Sequence, residues 1–416
     1  MKRTSEWKDR PLRISMLTTF YPPHNFGGDG VFVQRLAEAL ARRGHVVEVI
    51  HALDAYDFLG GEPQRAESTA NPKIHSLHSK LGGLASLLCH QTGRPALYAS
   101  KIRDILDRGR FDVLHYHNPS LLGGPGIFAY GNAVKLYTTH EHWLICPTHT
   151  LWRYQRSLCT RKTCFMCALR ARRPPQLWRY TKLLPRTIPQ LDAILCPSRF
   201  TCAKHRENGI QSRIVHLPHF VPDTPVKEAD PAAPPYFLVV GRLEKPKGIQ
   251  TLFPAFAEYR RAELWIAGAG GFESALRRRS SGNPRIRFLG QRSQLELSSL
   301  YRDAIALIVP SLCYETFGLV LLEGFAQETP AIARKIGTLA EVMEESSGGY
   351  LYSSQSELIE AMSRLQQDGE KRRSLGLAAR EAVLRKWTEE IHISNYLDII
   401  ENIRMDKAGA EALPGP

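Results

Sequence analysis

Short apolar runs alternate with helix-periodic segments along this chain, and the alternation occurs twice, once on each side of a proline-rich break. The first series is Ile14–Phe20, Val46–Leu53, Asp112–His117, Val134–Thr139 and Ala193–Pro197. A loop with three glycines and two prolines, Tyr21–Gly30, follows the first run. In Val31–Arg43, Val33, Leu36, Ala37 and Leu40 then share a helical face, and Gly44 supplies the stop. Strands that are apolar throughout and separated by helices are buried on both faces, which calls for a parallel sheet covered by helices. Pro218 to Pro235 has linker composition. From Tyr236 the alternation restarts with FLVVGRL, ELWIAG, IRFLG, ALIVPS and PAIAR. The chain therefore reads as α/β with two Rossmann-like, doubly wound domains, residues 1–222 and 236–386, joined by a linker over 223–235. A ligand site is expected in the cleft between them, at the C-terminal ends of the strands. Residues 406–416 read as a disordered tail.

Charge is distributed unevenly. The net charge is +14 over 416 residues. Residues 1–222 carry 31 Lys+Arg against 15 Asp+Glu, or +16, and residues 223–416 carry 24 against 26, or −2. Between Glu141 and Asp192 there is no acidic residue, while ten basic ones run from Arg153 to Arg186. Such a field favours an anionic partner, such as a membrane surface, a phosphorylated acceptor or nucleic acid. No apolar run approaches the ~20 residues that span a bilayer. Met1 to Arg13 is too polar for a signal sequence, so the expected location is cytoplasmic, with the inner face of the cytoplasmic membrane as a peripheral site.

Three motifs carry chemistry. The most specific is Glu315-Thr-Phe-Gly-Leu-Val-Leu-Leu-Glu323, after the strand ALIVPS. With a helix beginning at Gly318, the amides of Phe317, Gly318 and Leu319 form an anion site suited to a diphosphate. Glu315 then stands at the phosphate end and Glu323 inside the helix, where a carboxylate suits a ribose diol. The second is Gly241-Arg-Leu-Glu-Lys-Pro-Lys-Gly248, in which Arg242 and Lys247 converge on one anion, with Lys245 as the alternative lysine. The third is the first loop, whose Gly28 and Gly30 let backbone approach a phosphate.

In this order and in these two halves, the motifs resemble glycosyltransferase family 4, retaining enzymes of GT-B fold, over about residues 12–405. The resemblance implies that Gly28 and Gly30 line the phosphate side of the cleft and that His140 contacts the donor sugar. It implies that Arg242 and Lys247 neutralise the departing diphosphate, Glu315 binds a sugar hydroxyl and Glu323 binds the ribose. Arg199 is a looser match near the cleft. The final helix, 387–405, is expected to cross back to the N-terminal domain. The implied co-substrate is a UDP- or GDP-sugar, the acceptor a glycan or lipid-linked glycan, and no catalytic metal is expected. Gly324 and the pair Gly337-Thr338 depart from the family pattern without touching the charged ligands. A sugar-nucleotide epimerase of the same fold and a basic, zinc-containing nucleic-acid-binding protein are the rival readings. The second leaves the paired glutamates without a purpose, so nucleic acid is not an expected partner.

Cys146, Cys159, Cys164 and Cys167 form a C-x12-C-x4-C-x2-C cluster in a loop-like insertion, 142–180. Four thiolates with a Cx2C end suit a structural zinc. The family resemblance supports this reading, since members that look like this chain carry a Cys-Pro followed by further cysteines here. An iron–sulfur cluster, ordinary thiols, or a set with His142 or His149 replacing one cysteine are the alternatives.

Overall fold

The structure, a computed structural model, describes residues 10–61 and 70–411. Its strands are β1 (Arg13–Thr18), β2 (Val46–Ala52), β3 (Lys73–Leu77), β4 (Val113–Asn118), β5 (Val134–Thr138), β6 (Trp152–Arg153), β7 (Ser157–Leu158), β8 (Ala193–Cys196), β9 (Ile214–His216), β10 (Tyr236–Val240), β11 (Glu263–Ala267), β12 (Ile286–Gly290), β13 (Ala306–Val309), β14 (Ala331–Arg334) and β15 (Gly349–Tyr352). The central strands, such as β4 and β13, are buried at every residue, as a sheet covered on both faces requires.

Two parallel sheets result, ordered β3-β2-β1-β4-β5-β8-β9 and β12-β11-β10-β13-β14-β15. In each, the chain winds outward from the first strand in one direction and then returns to build on its other side. The order therefore reverses between β1 and β4 and again between β10 and β13. At such a point the loops after the two strands diverge and leave a crevice. The glycine loop leaves β1, the Arg242 loop leaves β10 and the Glu315 loop leaves β13, so the topology brings all three motifs to crevices.

The helix Gly28–Arg42 buries Phe32, Val33, Leu36, Ala37 and Leu40 against the first sheet. The same core takes Ile393, Tyr396, Ile400 and Ile403 from the last helix, Glu389–Glu411, which returns from the second domain. That helix corrects the expected disordered tail. It continues past Asp406, where Arg213 meets Asp406 at 2.8 Å and Lys407 meets Asp192 at 2.7 Å. Residues 412–416 lie outside the described residues. The insertion, read as loop, contains the β6–β7 hairpin and a helix, Cys164–Arg170.

The domains also meet directly. Glu341 accepts hydrogen bonds from the amides of Arg199 and Phe200, both 2.8 Å, at the start of the helix Arg199–Glu207. A carboxylate there satisfies donors that the helix cannot and complements its positive end. The guanidinium of Arg199 pairs with Glu345, so this residue serves the domain contact. Among the described residues, no helix is long and apolar enough to cross a membrane.

Candidate active site

The turn after β10 folds onto the end of β13 because Gly248 has φ +75° and a Cβ there would lie 2.0 Å from the Pro310 carbonyl oxygen. Only glycine permits both the conformation and the approach. The turn thereby delivers Lys247 Nζ to Glu315, 2.8 Å from Oε1 and 3.0 Å from Oε2, and Ser311 Oγ donates to Oε1 at 2.6 Å. Lys245 instead lies 5.9 Å from the Trp152 ring centroid, so Lys247 is the lysine brought to the glutamate. Burial opposes both charges. Yet the Glu315 charge raises Lys247 above its ordinary value, and Lys247, Ser311 and Arg242 lower Glu315. The pair is ionised across the physiological range.

Gly318, with φ +99°, caps the helix Leu319–Ala326. The helix begins one residue later than expected. The Leu321 amide already bonds the Gly318 carbonyl, so the amides of Gly318, Leu319 and Val320 open the helix, and the Phe317 ring packs on His219 and Trp387. Glu323 lies in the helix with both oxygens engaged: Arg35 Nη2 reaches Oε1 at 3.1 Å, and Tyr301 donates to Oε2 at 3.2 Å.

The N-terminal domain closes over this surface. Gly27, with φ +133°, admits Arg242, whose Cδ and Nε would lie 3.5 Å from a Cβ there, and Gly28 faces Leu319. Gly30 is buried in its helix, where a Cβ would lie 2.3 Å from Asn25 Oδ1, so its absent side chain serves loop packing. The glycine that meets the cationic side is Gly27, which spacing did not single out.

Arg242 pairs with Glu244 at 3.1 Å and also feels Glu141, Asp29 and Glu315. Asp29 accepts from Asn118 at 3.1 Å, and burial and the nearby Glu141 charge raise its carboxyl. Burial pushes Glu141 upward too, but hydrogen-bonded His149, with Arg242 and Arg173, holds it at about 2. Sequence reasoning missed Asp29, Glu141 and Arg35, and considered His149 only as an alternative metal ligand. For Glu141 a signal existed, since it is the last acid before a 50-residue stretch with none.

His140 follows β5 at the floor of the cleft. Its Nε2 is 2.9 Å from His117 Nδ1, and its carbonyl accepts from Thr316 Oγ1 at 2.8 Å. Burial lowers it to about 3, so it is neutral at pH 7.

Cys146, Cys159, Cys164 and Cys167 are free thiols that line a single cavity with Trp152 and Tyr314. Among the described residues, no three His, Cys, Asp or Glu side chains converge closely enough to hold a metal ion.

Two Rossmann-like domains that face a central cleft, with Arg242, Lys247 and Glu315 on the loops beside it, make a GT-B fold. Residues 26–224 match Glycosyltransferase Family 4, and residues 234–368 match Glycosyl transferases group 1. The chain belongs to the family 4 type of GT-B glycosyltransferases. It is 27% identical to the glycogen synthase of Mycobacterium tuberculosis, over 81% of each chain. Its fold is similar to sucrose-phosphate synthase from Thermosynechococcus elongatus, with a TM-score of 0.75, 19% identity and coverage of 94% of this chain and 99% of that one. It also resembles Anabaena HepE in complex with UDP-glucose, with a TM-score of 0.65, 16% identity and coverage of 96% and 100%.

Proposed function

We propose that this enzyme is a retaining hexosyltransferase that moves a sugar from a UDP- or GDP-sugar to a glycan or lipid-linked glycan. The observation that carries this reading is the Lys247–Glu315 pair beside Arg242 and the start of the helix Leu319–Ala326. A glycosyl transition state places positive charge on the sugar and growing negative charge on the departing diphosphate. Arg242, Lys247 and the helix amides face the second charge where it develops. Glu315 orients a sugar hydroxyl, Glu323 takes the ribose, and His140, as a neutral imidazole, contacts the sugar from the opposite wall. The diphosphate oxygen takes the acceptor proton on the same face that it leaves.

The test is a thermal-shift screen of UDP, GDP and their sugars, since a ligand that binds only the folded state raises apparent stability. Arg242→Ala and Lys247→Ala should each slow transfer by about 10²-fold or more and weaken diphosphate binding in parallel. Unchanged diphosphate affinity in both variants would remove the leaving-group role. Release of an isomerised nucleotide sugar without diphosphate would favour an epimerase.

The acceptor reading draws on the basic N-terminal face. Leu84, Leu87, Phe165, Met166, Leu177 and Tyr180 are exposed there, and Trp178 Nε1 bonds the His90 carbonyl at 3.1 Å, tying the insertion to the helix Gly83–Thr92. Apolar side chains among cations suit an anionic lipid surface. The protein should therefore sediment with phosphatidylglycerol vesicles and not with phosphatidylcholine ones; equal partitioning would count against the membrane.

The four cysteines are assigned one structural zinc. Support comes from the donor set on one cavity and from the Tyr154 amide, which donates to Cys167 Sγ at 3.3 Å. As placed, the thiols do not meet at a point, so binding requires the hairpin and the helix Cys164–Arg170 to draw together. Protein purified without added metal should contain one zinc per chain, and Cys164→Ser should expose 142–180 to protease. Substoichiometric metal with an unaltered cleavage pattern would leave ordinary thiols.

A further inference from the structure

Arg35 belongs to the N-terminal domain, on the helix that follows the glycine loop, yet its guanidinium lies in the nucleotide half of the cleft. Nη2 donates to Glu323 Oε1 at 3.1 Å and to Gln294 Oε1 at 3.2 Å. The Arg35 and Glu323 side chains are only 12% and 14% exposed. Nη1 is buried and has no hydrogen-bond partner. A buried guanidinium nitrogen without an acceptor is costly, and such groups are normally satisfied. Here the second nitrogen has been brought to the carboxylate assigned to the ribose and left with its donors unused.

We infer that Arg35 is a nucleoside-binding residue supplied by the N-terminal domain: Nη2 fixes Glu323, and Nη1 donates to an oxygen of the ribose or base. This rests on the reading of the Glu323 pocket as the nucleoside site. A guanidinium suits the task because its planar fork presents two nitrogens in fixed relation, one for the protein and one for the ligand. The contact also gives the donor a direct hold on the N-terminal domain, 288 residues away in sequence from Glu323. A ligand with a nucleoside feels this contact, and inorganic pyrophosphate does not.

The experiment is calorimetric titration of wild type, Arg35→Met and Arg35→Lys with UDP, GDP and inorganic pyrophosphate. Arg35→Met should weaken the preferred nucleoside diphosphate by about tenfold or more, as for one charge-assisted hydrogen bond, and leave pyrophosphate within about twofold. Arg35→Lys keeps a cation for Glu323 but has one nitrogen, so it should show the same selective loss in a folded protein. Arg35→Met/Glu323→Gln removes the unpaired buried carboxylate if the single variant is unstable. Nucleoside diphosphate affinity at the wild-type level in Arg35→Lys, or equal loss of both ligands, overturns the inference. Glu323→Gln separates the two claims: unchanged nucleoside affinity there defeats the ribose role of Glu323, and selective loss in Arg35→Lys still stands.

Discussion

Glu315→Gln is expected to leave a folded protein that transfers sugar about 10³-fold more slowly at saturating donor, the order found when a charge-stabilising group is removed. The carboxylate accepts from Lys247 through both oxygens and from Ser311 through one. Glutamine retains the shape but loses the negative charge that holds the Lys247 ammonium in place. In the proposed reaction the ammonium would then shift away from the diphosphate just when charge develops there. The substitution also leaves a mostly buried lysine without its anion, so a lowered melting temperature is expected. Breaking one side of a buried pair costs roughly 3–5 kcal/mol, with less here because the Lys247 side chain retains partial solvent access. Single-turnover rates with saturating donor, alongside melting curves, separate the two effects. Wild-type turnover in folded Glu315→Gln would show that the assignment of the site is wrong.

Acidification should produce the largest loss of stability. Burial lowers His51, His140 and His142 to about 3 and His90, His205 and His392 to about 4. It drives His115, His117 and His219 well below the ordinary value. An unfolded chain protonates these imidazoles near 6.5, so between about pH 6.5 and 4 the unfolded state binds more protons. The stability they contribute is complete above 6.5 and is lost as pH falls toward the folded values. Each such imidazole contributes about 1.4 kcal/mol per pH unit in that window. Several together rival the usual 5–15 kcal/mol of a folded domain. His115, His117, His140, His219 and His392 sit together between the N-terminal sheet and the last helix, linked by ring contacts and by Tyr396. Urea unfolding at constant ionic strength should show a steep fall between pH 6.5 and 5. A flat profile over that range would mean these imidazoles protonate freely in the folded protein.

The fold was readable where burial on both sides makes a strand apolar throughout, as in β1, β4, β10 and β13. It was unreadable at the edges. β3 (KIHSL) mixes polar and apolar residues, β9 (IVH) is only three residues long, and each pairs on one side only, so neither leaves a sustained apolar run in the sequence. The end of the last helix was missed for another reason, since it is held by ion pairs of Asp406 with Arg213 and of Lys407 with Asp192, which local composition does not reveal. The meeting of Lys247 with Glu315 and the place of Glu323 in a helix were legible because each residue occurs in a short motif beside a strand. Arg35, Asp29 and Glu141 gain their places from tertiary packing, and no local pattern announces that.

Thr316 stands directly beside Glu315, and its two polar ends are both fastened to the other domain. Its hydroxyl donates to the His140 carbonyl at 2.8 Å, and its own carbonyl accepts from Ser198 at 2.9 Å and Thr201 at 3.1 Å. The loop that carries the glutamate is thus anchored on the far wall of the cleft. Parting the domains would pull on that anchor and unseat Glu315 from its position. Three hydrogen bonds at one threonine therefore make the seating of Glu315 depend on how the two domains meet, and under the proposed function an open molecule would hold its donor without spending it.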